Sequence, residues 1–442
     1  MKRGGVPRPT GRGIGVLAAG ALVVLVGWLL QAPALVFAGT TLVVLIVAVT
    51  VSLFFRTADV RVTRRFSPDR GVTGWSAVER ISILPRGGRT SGAVRVREQL
   101  PFGRLSDSES AAVLLVPGRA SSAVFRHHDL PRGRHRIGPL HVDLVESYGV
   151  ARRRVVADGA AEFVVVPEVV EAGLGRESRA LGDGSRRQRE HSLAGGEDDP
   201  VTREYRRGDP MRRVHWKATA RHGELMVRQE EQHGLPSARV VIAVAADGWS
   251  DARPTQQPTT GVRAKPGTAA IPLVSDAFEW AVSFAATIAV EVGHAGSATV
   301  LASPGGALVA RHDPDLTTAF LDDLADLLLD DALGGAAPSP SPREPVVAVV
   351  SGLGRVDLEV LSASRAPGSS AVAVVVTPAL PLGTGLTSRP ARPADGAARA
   401  GDRVLAPDEV ADTLRESGWR VVETDSSVDV GRLIVTTGVL DG

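Results

Sequence analysis

The chain has 442 residues, more than one hydrophobic core usually supports, so two or three domains are expected. Hydrophobic residues make up 43% and charged residues 23%, a globular balance that excludes wholesale disorder, and a net charge of +2 is too small to mark a nucleic-acid binder. No cysteine is present, which removes disulfides, zinc–thiolate sites and thiol nucleophiles.

The first elements are two apolar runs. Ile14 to Leu30 is a charge-free stretch of about 17 residues, and Ala34 to Phe55 one of about 22. At about 1.5 Å per residue they reach roughly 26 and 33 Å, against a hydrocarbon core of about 30 Å. Gln31-Ala32-Pro33 is all that separates them, so the spans form an antiparallel hairpin, with Pro33 expected to stop the first. A cleaved signal peptide accounts for the first run alone and leaves the second, longer one unexplained. Both outer flanks are basic: Lys2, Arg3, Arg8 and Arg12 before, Arg56, Arg61, Arg64 and Arg65 after. The reading is a multi-pass cell-membrane protein with two spans within residues 1–57, its partner the lipid bilayer and its soluble body in the cytoplasm. Lysine occurs elsewhere only at Lys217 and Lys265; arginine, Ala, Gly and Val dominate, the bias that GC-rich bacterial coding produces.

Residues 58–170 alternate with period two, as in Val60-Arg61-Val62-Thr63-Arg64, Val78 to Ile83, Ala93 to Arg97, Ala123 to His127 and Leu140 to Leu144. Pro- and Gly-rich turns separate the runs, the pattern of an antiparallel β-sandwich whose arginines form the solvated face. Residues 171–237 read as a polar connector. From 238 to 442 the period changes. Apolar strands at Val240 to Ala245, Ala298 to Ala302, Val346 to Val350, Ala371 to Thr377 and Arg420 to Glu423 alternate with helices at Asp276 to Val292, Leu316 to Leu333, Leu358 to Leu361 and Pro407 to Glu416. That alternation predicts an α/β domain with a doubly wound parallel sheet. Two Pro/Gly-rich loops, Gly248 to Ser275 and Pro378 to Arg403, are expected to be mobile.

Within the connector, Val201 to Gln232 interleaves arginines with acids and aromatics: Arg203, Tyr205, Arg206, Gly208, Asp209, Arg212, His215, Trp216, Lys217 and Arg221. Gly208-Asp209-Pro210 is a turn signal, and after it Val214 and Trp216, or Trp216 and Ala220, are placed to anchor a short segment to the core. Guanidinium groups so arranged suit stacking and bidentate carboxylate pairing. Two uses stay open, a salt-bridged, Trp-anchored connector between domains or a docking surface for a partner.

GDPMRRVHWKATAR, preceded by REYR and followed by GELMVRQ, resembles the signature of the domain of unknown function fifty-eight family. Arg132 to Arg154 is similar to the family's upstream segment, with Glu146-Ser147-Tyr148-Gly149 where Asp-Pro-Phe-Gly is usual, and Phe278 to Val290 resembles its downstream helix. The resemblance implies a membrane-attached β domain followed by a von Willebrand A-like α/β domain. It also implies partnership with MoxR-type AAA+ ATPases, whose genes commonly neighbour this family's, in assembly or maturation of envelope or other complexes. It brings no established catalytic activity.

Von Willebrand A-like domains often hold a divalent cation through Asp-x-Ser-x-Ser after the first strand. Here Trp249 and Asp251 take the serine positions after Asp247, and Ser351-Gly352 stands where an acid is useful, so no metal or other cofactor is expected. No GxxxxGK[ST], HExxH, GxSxG or SxxK pattern occurs, and His127, His128 and His215 lack metal-ligand spacing. Asp322-Asp323 and Asp330-Asp331 read as the solvated face of a helix. The expectation is a non-enzymatic membrane-anchored adaptor or scaffold. The alternative is a ligand-binding receptor acting through the α/β domain, with or without metal. Nucleic acid is not an expected partner, because acids interleave the arginines.

Overall fold

The computed structural model describes residues 5–55, 60–86, 92–100, 110–128, 130–145, 148–157, 159–171, 202–204, 216–228, 237–254, 273–330, 333, 335–340, 344–366, 369–379 and 403–438. The chain divides into one unit of Met1–Glu168, Pro254–Leu273 and Asp322–Leu327, and a second of Val169–Arg253, Val274–Leu321 and Leu328–Gly442.

The first unit begins with helices α1 (Gly11–Leu29) and α2 (Pro33–Phe55), both long and apolar enough to cross a membrane. The buried positions are Gly13, Gly20 and Gly27 on α1 and Gly39, Ile46 and Leu53 on α2. A Cβ on Gly20 would meet Val43 Cγ2 at 2.9 Å, and one on Gly39 the Gly20 carbonyl at 2.8 Å, so glycine sets how closely the helices approach. Trp28, Phe37 and Phe55 face outward. The turn corrects one expectation. Pro33 opens α2, where its missing N–H costs nothing, and the first helix ends because Gln31 adopts φ 49°.

Strands β1 (Arg8–Pro9), β2 (Val60–Ser67), β3 (Gly71–Val72), β4 (Ala77–Pro85), β5 (Gly92–Glu98), β6 (Ala111–Leu115), β7 (Ser121–His127), β8 (Gly133–Ile137), β9 (Leu140–Val145), β10 (Ala151–Ala157) and β11 (Ala161–Val166) follow. They form sheets ordered β1-β10-β9-β5-β6, β2-β4-β7 and β3-β11-β8, antiparallel except for the β3–β11 pair. One core joins the first two sheets: Val94, Val96, Leu140 and Val142 pack with Ile81, Ile83 and Phe125. Leu53, near the end of α2, is fully buried in the same cluster. Strands β8 and β10 were not foreseen, since GRHRI and ARRRVVA each carry three basic residues.

The second unit holds β12 (Thr202–Glu204), α3 (Trp216–His222), β13 (Met226–Arg228), β14 (Ser237–Ile242), α4 (Asp276–His294), β17 (Ala298–Ala302), β18 (Leu308–His312), β19 (Val346–Val350), β20 (Leu353–Gly354), α6 (Arg355–Ala363), β21 (Ala371–Thr377), β22 (Val404–Leu405), α7 (Pro407–Glu416), β23 (Arg420–Asp425) and α8 (Val430–Thr437), while β15 (Arg253–Pro254) and β16 (Leu273–Val274) fall at the division between the units. Helix α5 (Thr317–Asp326) begins in this unit. Six strands form the main sheet in the order β18-β17-β14-β19-β21-β23. All neighbours are parallel except β18, an antiparallel edge strand absent from the predicted elements. Every residue of β19 is buried, as a strand covered on both faces requires.

The expected helix from Leu316 to Leu333 is shorter. It ends at Asp326, and Asp330 lies beyond it at φ 65°, its amide donating to the Val244 carbonyl over 2.8 Å. Asp322 is not simply solvated either, since both its oxygens receive Arg70 at 2.9 Å within the first unit. Helix α8 follows the strand read as the last element. Most of both long loops (255–272 and 380–402) and of the connector (172–200) lies outside the described residues.

Candidate functional site

Among its described residues the arginine-rich segment holds β12, α3 and β13. β12 and β13 pair antiparallel, with Arg203 opposite Val227 and Glu204 opposite Met226, so the two ends of the segment are held together. Helix α3 stops at Gly223, whose φ of +76° suits a residue without Cβ and whose amide closes on the Thr219 carbonyl at 2.9 Å. The Thr219 hydroxyl accepts from the Met226 amide at 3.0 Å, fastening helix to strand.

Of the residues singled out, Arg203 lies in β12 and Lys217 in α3, though neither side chain is among those described. Tyr205, Arg206, Gly208, Asp209, Arg212 and His215 lie outside the described residues. Trp216 and Arg221 sit on α3, both exposed, Trp216 at 65%. Trp216 therefore does not anchor the segment to a core. Among the segment's described side chains Met226 is the buried one.

At the carboxyl ends of β14 and β19 the crevice of the parallel sheet is filled. The Gly352 amide donates to the Gly248 carbonyl at 2.9 Å, and a Cβ on Gly248 would fall on the carbonyl oxygen of Gly352. Trp249 is 2% exposed and packs edge-on against Phe278, with centroids 5.8 Å apart. Asp251 accepts from the Ser275 hydroxyl at 2.5 Å and from the Ala277 amide at 3.1 Å. Its carboxylate thus joins Ser275, the N-cap that accepts from Phe278, at the start of α4. These residues do not fit a divalent cation. An indole occupies one ligand position, and the next carboxylate is consumed by a helix cap. Among the described residues no group of three or more His, Asp or Glu side chains is placed to hold a metal ion.

A constellation that sequence reasoning missed lies inside the first unit. Arg64, Glu79, Glu98 and His127 come from β2, β4, β5 and β7, all with side chains almost wholly buried. Arg64 Nη2 donates to both Glu98 oxygens at 3.2 Å, and its Nε lies 3.1 Å from Glu79 as an ion pair without a directed hydrogen bond. His127 Nε2 meets Glu79 Oε2 at 2.9 Å. Burial, then the charge of Glu79, push the Glu98 carboxyl up to about 7, against the pull of Arg64 and the Gln99 amide. The arginines of these strands are thus not uniformly a solvated face. Period two held the signal: Arg64 shares parity with Val60 and Val62, Glu79 with Ile81 and Ile83, Glu98 with Val94 and Val96, and His127 with Phe125.

Among curated proteins none matches this chain. Among solved structures, the CARDB domain of the PF1109 protein from Pyrococcus furiosus, in complex with di-metal ions, is 20% identical. That match covers 24% of this chain and 89% of that one, at a TM-score of 0.18. The alkylpurine DNA glycosylase AlkC from Pseudomonas fluorescens is 16% identical over 33% of this chain and 41% of its own, at 0.18. A β-glucosidase from Listeria innocua is 16% identical, with 24% and 16% covered, at 0.15. At such TM-scores these likenesses carry no argument. The segment built from β12, α3 and β13 is the informative one: residues 201–256 match the family model described as protein of unknown function DUF58, in support of the resemblance read from the arginine-rich signature.

Proposed function

We propose that the protein is a non-enzymatic, membrane-anchored adaptor that works with a MoxR-type AAA+ ATPase, its soluble units in the cytoplasm and its signature segment the docking surface. The exposed indole of Trp216 carries the docking reading over the connector reading. A large aromatic left outward on the same short helix as Arg221, in the most specific segment of the chain, has the composition of an interface hot spot. The second unit supports a von Willebrand A-like description through its strand order. Numbered along the chain, its sheet runs 3-2-1-4-5-6 with strand 3 antiparallel. Trp249 and the Gly248–Gly352 contact favour recognition by the surrounding surface over recognition through a bound cation, so a metal-dependent receptor is the weaker alternative.

The test is in vivo photo-crosslinking from position 216 in the full-length, membrane-inserted protein. A MoxR-type ATPase among the crosslinked neighbours, lost when Arg221 is changed to Glu, is the expected result. Crosslinks that reach only this chain's own residues favour the connector instead.

A further inference from the structure

Within the first unit, three exposed cations lie at the start of α1. Arg8 on β1 stands directly opposite Arg152 on β10, and both are exposed. Like charges placed so on an antiparallel pair repel one another. Arg12 is exposed in the first turn of α1, which contains no acidic residue, so a cation sits at the positive end of the helix dipole. Among the described residues none of the three has an acidic partner.

The platform beneath them is rigid. The Thr10 amide donates to the Val150 carbonyl at 2.8 Å, and its hydroxyl donates to the Gly149 carbonyl at 2.7 Å while capping the Gly13 amide at 3.2 Å. A Cβ on Gly13 would fall on the Val150 oxygen, and one on Gly149 would lie 3.9 Å from Arg12 Nη1. Loop, strand and helix are therefore locked in register, and the arginines are held together although they repel. Tyr148 on the same loop is 80% exposed, the amphipathic ring expected at headgroup level. Two residues further along α1, Ile14 is exposed, so apolar surface begins where the cations end.

We infer that Arg8, Arg12 and Arg152 form a binding site for the headgroup of an anionic phospholipid, seated against the first turn of α1 with its acyl chains along the hairpin. The inference rests on the membrane reading of α1 and α2. The lipid's phosphate completes two arrangements that are unfavourable without an anion, the Arg8–Arg152 opposition and the basic helix start. A free phosphate lacks the chains that the adjoining apolar surface accepts.

The experiment uses full-length protein reconstituted in phosphatidylcholine mixed with phosphatidylglycerol, followed by measurement of the ratio of the two lipids retained on gentle extraction. The wild type enriches phosphatidylglycerol. Arg8→Gln and Arg152→Gln each reduce the enrichment by about fivefold, and the corresponding lysine variants retain it. An unchanged ratio in the glutamine variants overturns the site. So does a melting shift in neutral detergent produced equally well by inorganic phosphate, which assigns the cluster to free anions. Flotation with pure phosphatidylcholine vesicles separates the two levels of failure. Protein that does not float overturns the membrane reading itself, and protein that floats without lipid preference overturns only the headgroup site.

Discussion

Arg153 on β10 donates to the carbonyl of Phe54 at 3.0 Å, and through the same nitrogen to that of Leu53 at 3.1 Å. Its Nε reaches the Gly5 carbonyl at 3.0 Å, and the guanidinium lies 5.9 Å from the centre of the Phe54 ring. One side chain thus closes the open carbonyls at the end of α2 and ties both ends of the hairpin to the sandwich, while Leu53 enters the sandwich core. The hairpin is in this sense an extension of the β domain.

Replacing Arg153 with Gln is expected to destabilise the full-length protein in detergent by about 1.5 to 3 kcal/mol, the range for hydrogen bonds from a charged donor. Chemical denaturation followed by far-ultraviolet dichroism measures it. Lysine is expected to restore little, because an ammonium lacks the planar fork that spans three carbonyls.

The buried Arg64–Glu79–Glu98–His127 cluster makes stability depend on pH. The Glu98 carboxyl, raised from 4.5 to about 7 in the folded state, contributes fully below its unfolded value and loses that contribution as pH rises through about 7. Between those values the unfolded chain gives up the proton first, so stability falls by at most about 1.4 kcal/mol per pH unit. Glu98→Gln removes this slope, and its stability relative to wild type grows from about pH 5 to about pH 8. Parallel unfolding curves across that range check it. Arg64→Met, which leaves two buried carboxylates facing each other, is expected to cost about 3 to 5 kcal/mol.

Gly248→Ala places a methyl group on the Gly352 carbonyl and forces the ends of β14 and β19 apart. The expected loss is about 1 to 3 kcal/mol, with Trp249 becoming more accessible to a fluorescence quencher.

Asp251→Ala removes the carboxylate from the start of α4 and is expected to cost about 1 kcal/mol. Because Asp251 serves that cap, magnesium is expected to leave the melting temperature of wild type and of Asp247→Ala equally unchanged. A magnesium-dependent shift abolished in Asp247→Ala points to the receptor alternative instead.

Much of this architecture was legible because burial on both sides of a sheet, or on all sides of a span, leaves a dense apolar signature. Val346 to Val350 and Ala371 to Thr377 coincide with β19 and β21 for that reason, and the two apolar runs coincide with α1 and α2 to within a few residues. The misses share a physical cause. Strands β8 and β10 are rich in arginine, which masks their alternation, and the apolar run of β18, Leu308 to Ala310, is too short to stand apart from its turns. The buried cluster was hidden by the habit of reading charge as surface, although the parity of Arg64 and Glu79 placed them inside. At the candidate site, the family signature was legible as a pattern, but the outward pose of Trp216 was not. The seven residues of α3 are too few for periodicity to say which face is turned outward.

The most direct test of the membrane-tethered account is fractionation of cells making the full-length protein, followed by an alkaline wash and protease treatment from each face of the membrane. The account predicts that the chain stays in the washed membranes and that its soluble units are cut only from the cytoplasmic side. Release into the wash, or cleavage from the opposite face, contradicts it.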